Sequence, residues 1–238
     1  LNKWGDFATF FGGIFALISI YLAYRAFMSQ VNASKRTSFD ATFTQIFSQH
    51  HILHEKVIQY HFISYLWHGR LYRVSTGGKN IFTLCKEEYE RSDELVQDFW
   101  ERFNRIIGSE ASIDFKNYFK YIYHEINIVV SQPDEVLNDN AKRNYIQLIQ
   151  AQMNYDELLC YLINQVEYFN YWRNNRNRNI LIYRRAEEHV RNLHDYGFFR
   201  ELCKNRSERH ANLVRRIIGT NGNGCINNDF IDESWFPH

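Results

Sequence analysis

The sequence predicts an all-α protein: an N-terminal transmembrane helix with its flanks in residues 1–30, a cytoplasmic helical bundle over residues 31–218 and an irregular tail over residues 219–238. Three observations lead to this prediction. A long stretch near the N-terminus carries no charge, and apolar residues recur at helical spacing through most of the rest. The 238 residues include 2 prolines and no sustained strand-like alternation, which argues against an all-β fold.

The uncharged stretch runs from Phe7 to Tyr24, and its 18 residues at about 1.5 Å each span about 27 Å, close to the hydrocarbon thickness of a bilayer. A mean hydropathy of −0.48 excludes a polytopic membrane protein but allows one span. The alternatives are a buried core helix and a signal peptide, whose basic flank would precede the run. Here Arg25, Lys35 and Arg36 follow it, which predicts that the C-terminal side lies in the cytoplasm. The four cysteines, scattered without a C-x-x-C pair, suit that reducing compartment.

A stripe of small residues runs along one side of the predicted span: Gly12, Ala16, Ser19 and Ala23. Small side chains let helices approach closely in lipid, although such residues are also common in spans for no special reason. The sharper interpretation is a helix–helix contact through the stripe, with another span of this chain or with a second copy.

The other elements follow from apolar periodicity, which predicts helices over 39–61, 84–107, 113–130, 141–153, 155–171, 180–195 and 199–218. The first of these is expected either to stand alone or to continue the span. Asn154 and Glu157 have the spacing of a capping box, and Gly108 suits a helix end. Residues 69–80 are predicted to form a basic, glycine-containing loop.

Charge is distributed unevenly along the chain, although the net charge is +1. Residues 81–140 contain 6 Lys/Arg and 13 Asp/Glu, whereas residues 173–216 contain 12 Lys/Arg and 5 Asp/Glu. Either the two parts pack on each other or lie solvated, or the basic part binds a polyanion such as nucleic acid, an acidic partner or the anionic leaflet. The candidates for polyanion binding are Arg173, Arg176, Arg178, Arg184 and Arg185.

Histidines on the first bundle helix are the strongest candidates for a metal site. His50 and His54 are one helical turn apart, a spacing that can hold zinc, and the series continues at heptad intervals with His61 and His68. No acidic third ligand is evident, because Glu55 points elsewhere on the helix. Polar packing between helices is therefore the preferred interpretation, and no metal or cofactor is predicted.

Signals for catalysis are weak. Arg184 and His189 have the R-x4-H spacing of HEPN ribonucleases, but Arg185 stands where those enzymes usually have a small polar residue. The sequence contains no P-loop, no Rossmann glycine pattern and no G-x-S-x-G. His124 and Glu125 form a polar pair in an apolar helix, so one of them is expected to face a buried partner. An enzyme is disfavoured, and a membrane-tethered ribonuclease is left as an alternative.

Residues 4–24 resemble the second span of a family of bacterial two-span proteins with the motif W-G-x-F-G-D-F-x-G-G before and within that span. Asp6 and the glycines at 12–13 match the motif, whereas Ala8 and Thr9 replace its middle Gly-Asp. Three further blocks are similar to phage abortive infection proteins of the AbiC-like group: residues 39–57, 115–129 and 145–164. The likeness covers the N-terminal two-thirds of the chain and leaves out the basic part.

The resemblance implies a further span upstream of Leu1, residues 1–6 in a periplasmic hairpin, and a place in the bacterial inner membrane with most of the chain cytoplasmic. It also implies antiphage defence, in which infected cells stop growing or die. Some proteins of this general kind are retron effectors that act beside a reverse transcriptase–nucleic acid complex, an acidic partner that the basic part would suit. The expected function is a membrane-anchored, self-associating effector that perturbs the lipid bilayer; a non-toxic scaffold recruiting a nucleic-acid–protein complex is a further alternative.

Overall fold

A computed structural model describes residues 3–60, 62–67, 70–92, 96–204, 208–219 and 229–236. The helices are α1 (Lys3–Ile58), α2 (Ile81–Arg91), α3 (Val96–Ile106), α4 (Ser109–Val130), α5 (Asp139–Gln152), α6 (Tyr155–Asn174), α7 (Ile180–Asp195), α8 (Arg200–Cys203) and α9 (Glu208–Gly219). The strands are β1 (Phe62–Trp67) and β2 (Arg70–Ser75), and Glu233–Trp235 form a 3-10 turn. The fold is predominantly helical, as predicted.

Helix α1 joins the apolar N-terminal segment to the bundle without a break over 56 residues. It crosses the predicted boundary at residues 30–31, so the span candidate and the first bundle helix are one element. The sequence contains no glycine or proline between Ile14 and Ile58, and nothing there interrupts the backbone ladder. Burial of the helix begins at Phe39 and Phe43, which pack edge-on against Tyr145 of α5.

The prediction of a loop over residues 69–80 is wrong for its first half, because Arg70–Ser75 form β2, which pairs with β1 as an antiparallel hairpin. The register pairs Phe62 with Ser75 and Trp67 with Arg70. Most residues of β1 are aromatic or β-branched, as are Tyr72 and Val74 of β2, and these types favour a pleated, paired backbone. Each strand has 6 residues, too few to establish an alternation. Gly77 and Gly78 follow the hairpin with φ of 64° and 81°, values that glycine adopts without strain.

Two predicted helices are each divided in two. The stretch 84–107 becomes α2 and α3, because the chain turns extended at Ser92, whose backbone N–H caps α2 by donating to the carbonyl of Tyr89. The stretch 199–218 becomes α8 and α9, because Lys204 is extended. By contrast, α7 has the predicted bounds, and the capping box of Asn154 and Glu157 at the start of α6 is confirmed.

The core is built around α4 and α6. Helix α6 is buried on most of its circumference, which explains why its apolar residues run together instead of forming one stripe. Aromatic side chains fill much of the space between the helices: Phe82, Phe99, Phe103, Phe115, Tyr118, Phe119 and Tyr161. The high aromatic content of the sequence therefore serves mainly the core.

The end of the chain contributes to this core, although the tail was predicted to be irregular. Phe230 is fully buried and packs edge-on against Phe169 of α6, and Phe236 is covered by the guanidinium of Arg215 at 4.3 Å. Residues 220–228, which include Cys225, lie outside the described residues. The apolar residues that follow them are what hold the chain end against the bundle.

Candidate functional site

From Gly12 to about residue 30, α1 is largely apolar and uncovered. By length and composition, α1 is long enough and apolar enough to cross a membrane, and no residue of its most apolar stretch is buried. Phe15 and Ile20 are 65% and 67% exposed. Exposed apolar surface of this extent is unfavourable in water and marks a segment that contacts lipid or another protein.

The small-residue stripe lies on this uncovered segment, and all four of its residues are exposed. A Cβ added at Gly12 would meet no atom within 4 Å, so the stripe has free space beside it. The Ser19 hydroxyl donates to the carbonyl oxygen of Phe15 at 2.8 Å, which satisfies its polar group within the helix. The stripe therefore presents a smooth, apolar side.

A buried polar junction connects α1 to α4. His50 Nδ1 lies 2.7 Å from Glu125 Oε2, and His50 Nε2 lies 3.0 Å from the Tyr118 hydroxyl oxygen. Both ionisable side chains are almost completely buried, His50 at 3% and Glu125 at 0% exposure. Burial raises the pKa of Glu125, against the opposing hydrogen bond from His50. Glu125 is thus the member of the polar pair in α4 that faces a buried partner, as predicted.

The junction continues into α6. The Tyr118 hydroxyl donates to Glu157 Oε1, and His54 Nε2 faces Glu157 Oε2 at 3.4 Å. The contact with Glu157 raises the pKa of His54, with burial acting in the opposite direction. Glu157 also completes the capping box of α6 by accepting from the backbone N–H of Asn154. One carboxylate therefore joins the start of α6 to both α1 and α4.

The hydrogen-bond directions restrict where the protons of this junction lie. Tyr118 has one proton, which goes to Glu157, so the Nε2–H of His50 must donate to the Tyr118 oxygen. A further proton then lies between His50 Nδ1 and Glu125, carried by one or the other. Burial, which raises the pKa of the Glu125 carboxyl, favours the neutral form of that carboxyl.

The predicted polar packing of His50 and His54 between helices is confirmed by these contacts. Among the residues that the structure describes, no group of three or more His, Cys, Asp or Glu is placed to hold a metal ion. His61 and His68, the other members of the predicted series, lie outside the described residues.

The predicted arginine cluster lies where α6 turns into α7. Arg173 is in the last turn of α6 with its guanidinium 5.6 Å from the Phe169 ring centre, while Arg176 and Arg178 are exposed in the connecting turn. The far end of the basic part packs on the acidic part, since Arg209 donates to Glu90 at 3.0 Å. Of the two interpretations of the charge asymmetry, mutual packing thus applies to α9, and exposed cations remain at the turn.

The R-x4-H pair is not brought together. Five positions on a helix turn through about 140°, and Arg184 is exposed whereas His189 is 2% exposed. The Nε2 atom of His189 lies 3.2 Å from the Tyr161 hydroxyl, and the ring packs on Tyr123. Burial lowers the pKa of His189 to about 3, so this histidine is neutral near pH 7. The geometry does not favour the ribonuclease alternative.

Acidification is expected to destabilise the bundle through His189. The unfolded chain binds this proton below about pH 6.5 and the folded chain only near pH 3, so stability falls as pH falls between these values. Between about pH 7 and about pH 5 the loss is about 2 kcal/mol. His54 acts with the opposite sign, because its raised pKa favours the folded state at low pH.

A His189→Gln variant isolates the contribution of His189 to the pH dependence of stability, because every other titratable group is present in both proteins. Thermal unfolding followed by circular dichroism at the two pH values gives the difference between wild type and variant. That difference should shrink by about 2 kcal/mol on acidification. A pH dependence identical in the two proteins would contradict the assignment.

A groove that the sequence did not reveal lies between α4 and the α6–α7 pair. Its volume is about 700 Å³, and Arg185 lines it together with Lys116, Lys120 and His124 of α4. These α4 residues are exposed and follow each other at i, i+4 and i+8, on one face. Their spacing in the sequence could have indicated a basic helix face. They lie in the part of the chain whose net charge is negative, so the charge count of residues 81–140 gave no sign of it.

The predicted site residues thus fall in separate places: the stripe on the free half of α1, Arg173 and its neighbours at the α6–α7 turn, and Arg185 in the groove. No protein-family model, curated protein or solved structure matches the chain. The candidate functional features are therefore the uncovered part of α1, the polar junction of α1 with α4 and α6, and the groove.

Proposed function

We propose that the protein is a membrane-anchored effector of the abortive-infection kind, which acts on the bacterial inner membrane when a trigger reaches its cytoplasmic bundle. The observation that carries the proposal is α1, in which an uncovered apolar segment and a packed bundle helix form one continuous element. A change in the bundle's packing on Phe39 or Phe43 would be transmitted along a stiff helix to the membrane segment.

Two further observations support the proposal. The basic residues Arg25, Lys35 and Arg36 follow the apolar segment and favour a cytoplasmic bundle. The three blocks that resemble AbiC-like proteins lie on α1, α4 and α5–α6, and these helices include the ones that meet at the polar junction. The resembling part of the chain thus coincides with the part that connects the apolar helix to the bundle.

Self-association is part of the proposed mechanism. A single helix cannot enclose a water-filled path, because its backbone groups pair internally and its outer surface faces lipid. Several copies would have to associate, and the side formed by Gly12, Ala16, Ser19 and Ala23 permits the closest approach.

The experiment is expression of the full-length gene with simultaneous measurement of membrane potential, by a potential-sensitive dye, and of total-RNA integrity. Wild type is expected to depolarise cells while RNA stays intact. Gly12→Leu with Ala16→Leu should abolish depolarisation, because leucine side chains fill the space through which the helices approach. Gly13→Leu is the matched control, because it lies about 100° away on the helix and also points into open space.

Three results would contradict the proposal. Full depolarisation by the double variant would exclude helix association through the stripe. An equal loss of depolarisation in Gly13→Leu would show that any bulky side chain in this segment has the same effect. RNA degradation before any loss of potential would favour the ribonuclease alternative instead.

A further inference from the structure

The groove between α4 and α6–α7 has the size of a small-molecule site. Its volume of about 700 Å³ lies within the range of about 300–1,000 Å³ that ligand pockets occupy. A second cavity of about 410 Å³ adjoins it and shares Tyr123, His124 and Arg185 with it. The two cavities therefore form one extended depression lined by residues of α3, α4, α6 and α7.

The rim of the groove is cationic. Lys116 and Lys120 on α4 and Arg185 on α7 face the same space from its two sides. None of the ion pairs between described residues includes Lys120 or Arg185. Lys120 and Arg185, which converge on the cavity without forming an ion pair between described residues, are suited to a phosphate group.

Two acidic groups line the extended depression, Glu167 at the groove and Glu188 in the adjoining cavity. Burial, with a contribution from Glu101 and against that of Lys116, raises the pKa of Glu167 to about 7. About half of this carboxyl is therefore neutral near pH 7, and the neutral form can donate a hydrogen bond to an anion.

The walls of the groove are aromatic. Trp100 and Phe119 form part of the floor and are almost completely buried, whereas Tyr123 and Tyr168 are partly open to the cavity. Flat aromatic faces suit a planar ring, because each of the nucleobases has a π-face that can stack on them.

A buried polar atom without a partner lies in the adjoining cavity. His189 is 2% exposed and lines that cavity, and its Nε2 atom is occupied by the Tyr161 hydroxyl. Its Nδ1 atom is buried and has no hydrogen-bond partner among the described residues. Such an atom is costly unless a ligand or water satisfies it, and it provides one specific hydrogen bond at the end of the groove.

We propose that this groove binds a nucleotide, with the phosphates held by Lys116, Lys120 and Arg185 and the base lying against Tyr123 and Tyr168. The nucleotide is either free or one unit of a single strand. The proposal is independent of any action on the membrane, because it concerns binding by the purified chain.

The test is isothermal titration calorimetry of the full-length protein in detergent with four probes: ATP, GTP, a single-stranded oligouridylate RNA and inorganic tripolyphosphate. At least one of the three base-containing probes should bind more tightly than tripolyphosphate. Lys120→Gln with Arg185→Gln should weaken that binding by about tenfold or more, because two charge-assisted contacts are lost. Arg191→Gln with Arg200→Gln removes the same charge at two exposed positions that line neither cavity, and it should leave binding unchanged.

The outcomes distinguish a free nucleotide from a nucleotide within a strand, and they include results that would overturn the proposal. Binding of ATP or GTP supports a free nucleotide, and binding of the RNA alone supports a unit within a strand. Absence of binding by every probe would overturn the proposal. It would also be overturned if both double variants weakened binding equally, or if tripolyphosphate bound as tightly as the best base-containing probe. Circular dichroism melting of each variant ensures that a lost signal is not unfolding.

Discussion

Replacing Phe15 and Ile18 together by arginine is expected to release the protein from the membrane fraction. Each arginine near the centre of a span costs about 2.5–3.5 kcal/mol for insertion, and each also removes a favourable apolar contribution, so the pair costs about 6 kcal/mol. Both side chains are exposed, and no residue of the apolar stretch that contains them is buried in the bundle. The effect is therefore expected on membrane association and not on folding.

The matched control adds the same two charges further along α1, as Ala33→Arg with Thr37→Arg. Both residues are exposed, and they lie beside Lys35 and Arg36 in the basic flank. Positive charge on the cytoplasmic side of a span favours the expected orientation, so this variant should stay in the membrane. Fractionation of cell lysates, with an alkaline wash to remove peripheral proteins, measures both. Retention of the Phe15/Ile18 variant in the washed membranes would contradict a span in this segment.

The elements that could be predicted are those whose signals are local. Helix α7 has the predicted ends because Asn179 caps it, and α6 begins at the predicted box of Asn154 and Glu157. The hairpin of β1 and β2 was missed because two strands of six residues stabilise each other across the turn, which no single window of sequence shows. The division of residues 84–107 into α2 and α3 could not be predicted, because the buried residues Tyr89 and Val96 on either side of the break keep the spacing of a continuous helix.

The sites depend on contacts between distant parts of the chain and were correspondingly harder to predict. The sequence indicated that His124 or Glu125 would face a buried partner, but the choice of His50, 75 residues away, follows from the packing of α1 on α4. The groove is a similar case, because Lys120 and Arg185 become neighbours only where α4 lies against α7. Local periodicity predicts which face of a helix is buried and not which helix covers it.

Replacing Glu125 by alanine is expected to lower the free energy of unfolding by about 3 kcal/mol or more. The substitution leaves a cavity and removes the partner of His50 Nδ1, which is too deeply buried to find water. For a protein of this size, such a loss corresponds to a decrease in melting temperature of about 10 °C. Thermal unfolding in detergent, followed by circular dichroism, measures it.

Glu125→Gln is the informative control, because its amide can still donate to Nδ1 while Nε2–H donates to Tyr118. If the shared proton lies on Glu125, glutamine reproduces both the neutral charge and the hydrogen bond, and the variant should melt close to wild type. If the junction instead depends on the charge of the Glu125 carboxylate, glutamine removes that charge, and the variant should approach the alanine variant. Equal stability of all three proteins would contradict a structural role for the junction.

The same pair of variants separates anchoring from coupling. Glu125 lies on α4 within the bundle, and its partner His50 is far along α1 from Phe15 and Ile18. Glu125→Ala should therefore remain in the washed membrane fraction even where the bundle is destabilised. If the bundle controls the apolar helix through α1, the alanine variant should change the onset of depolarisation while the glutamine variant behaves as wild type. Loss of stability with unchanged depolarisation would show that the packing of His50 on Glu125 holds the bundle together without transmitting its state to the membrane segment.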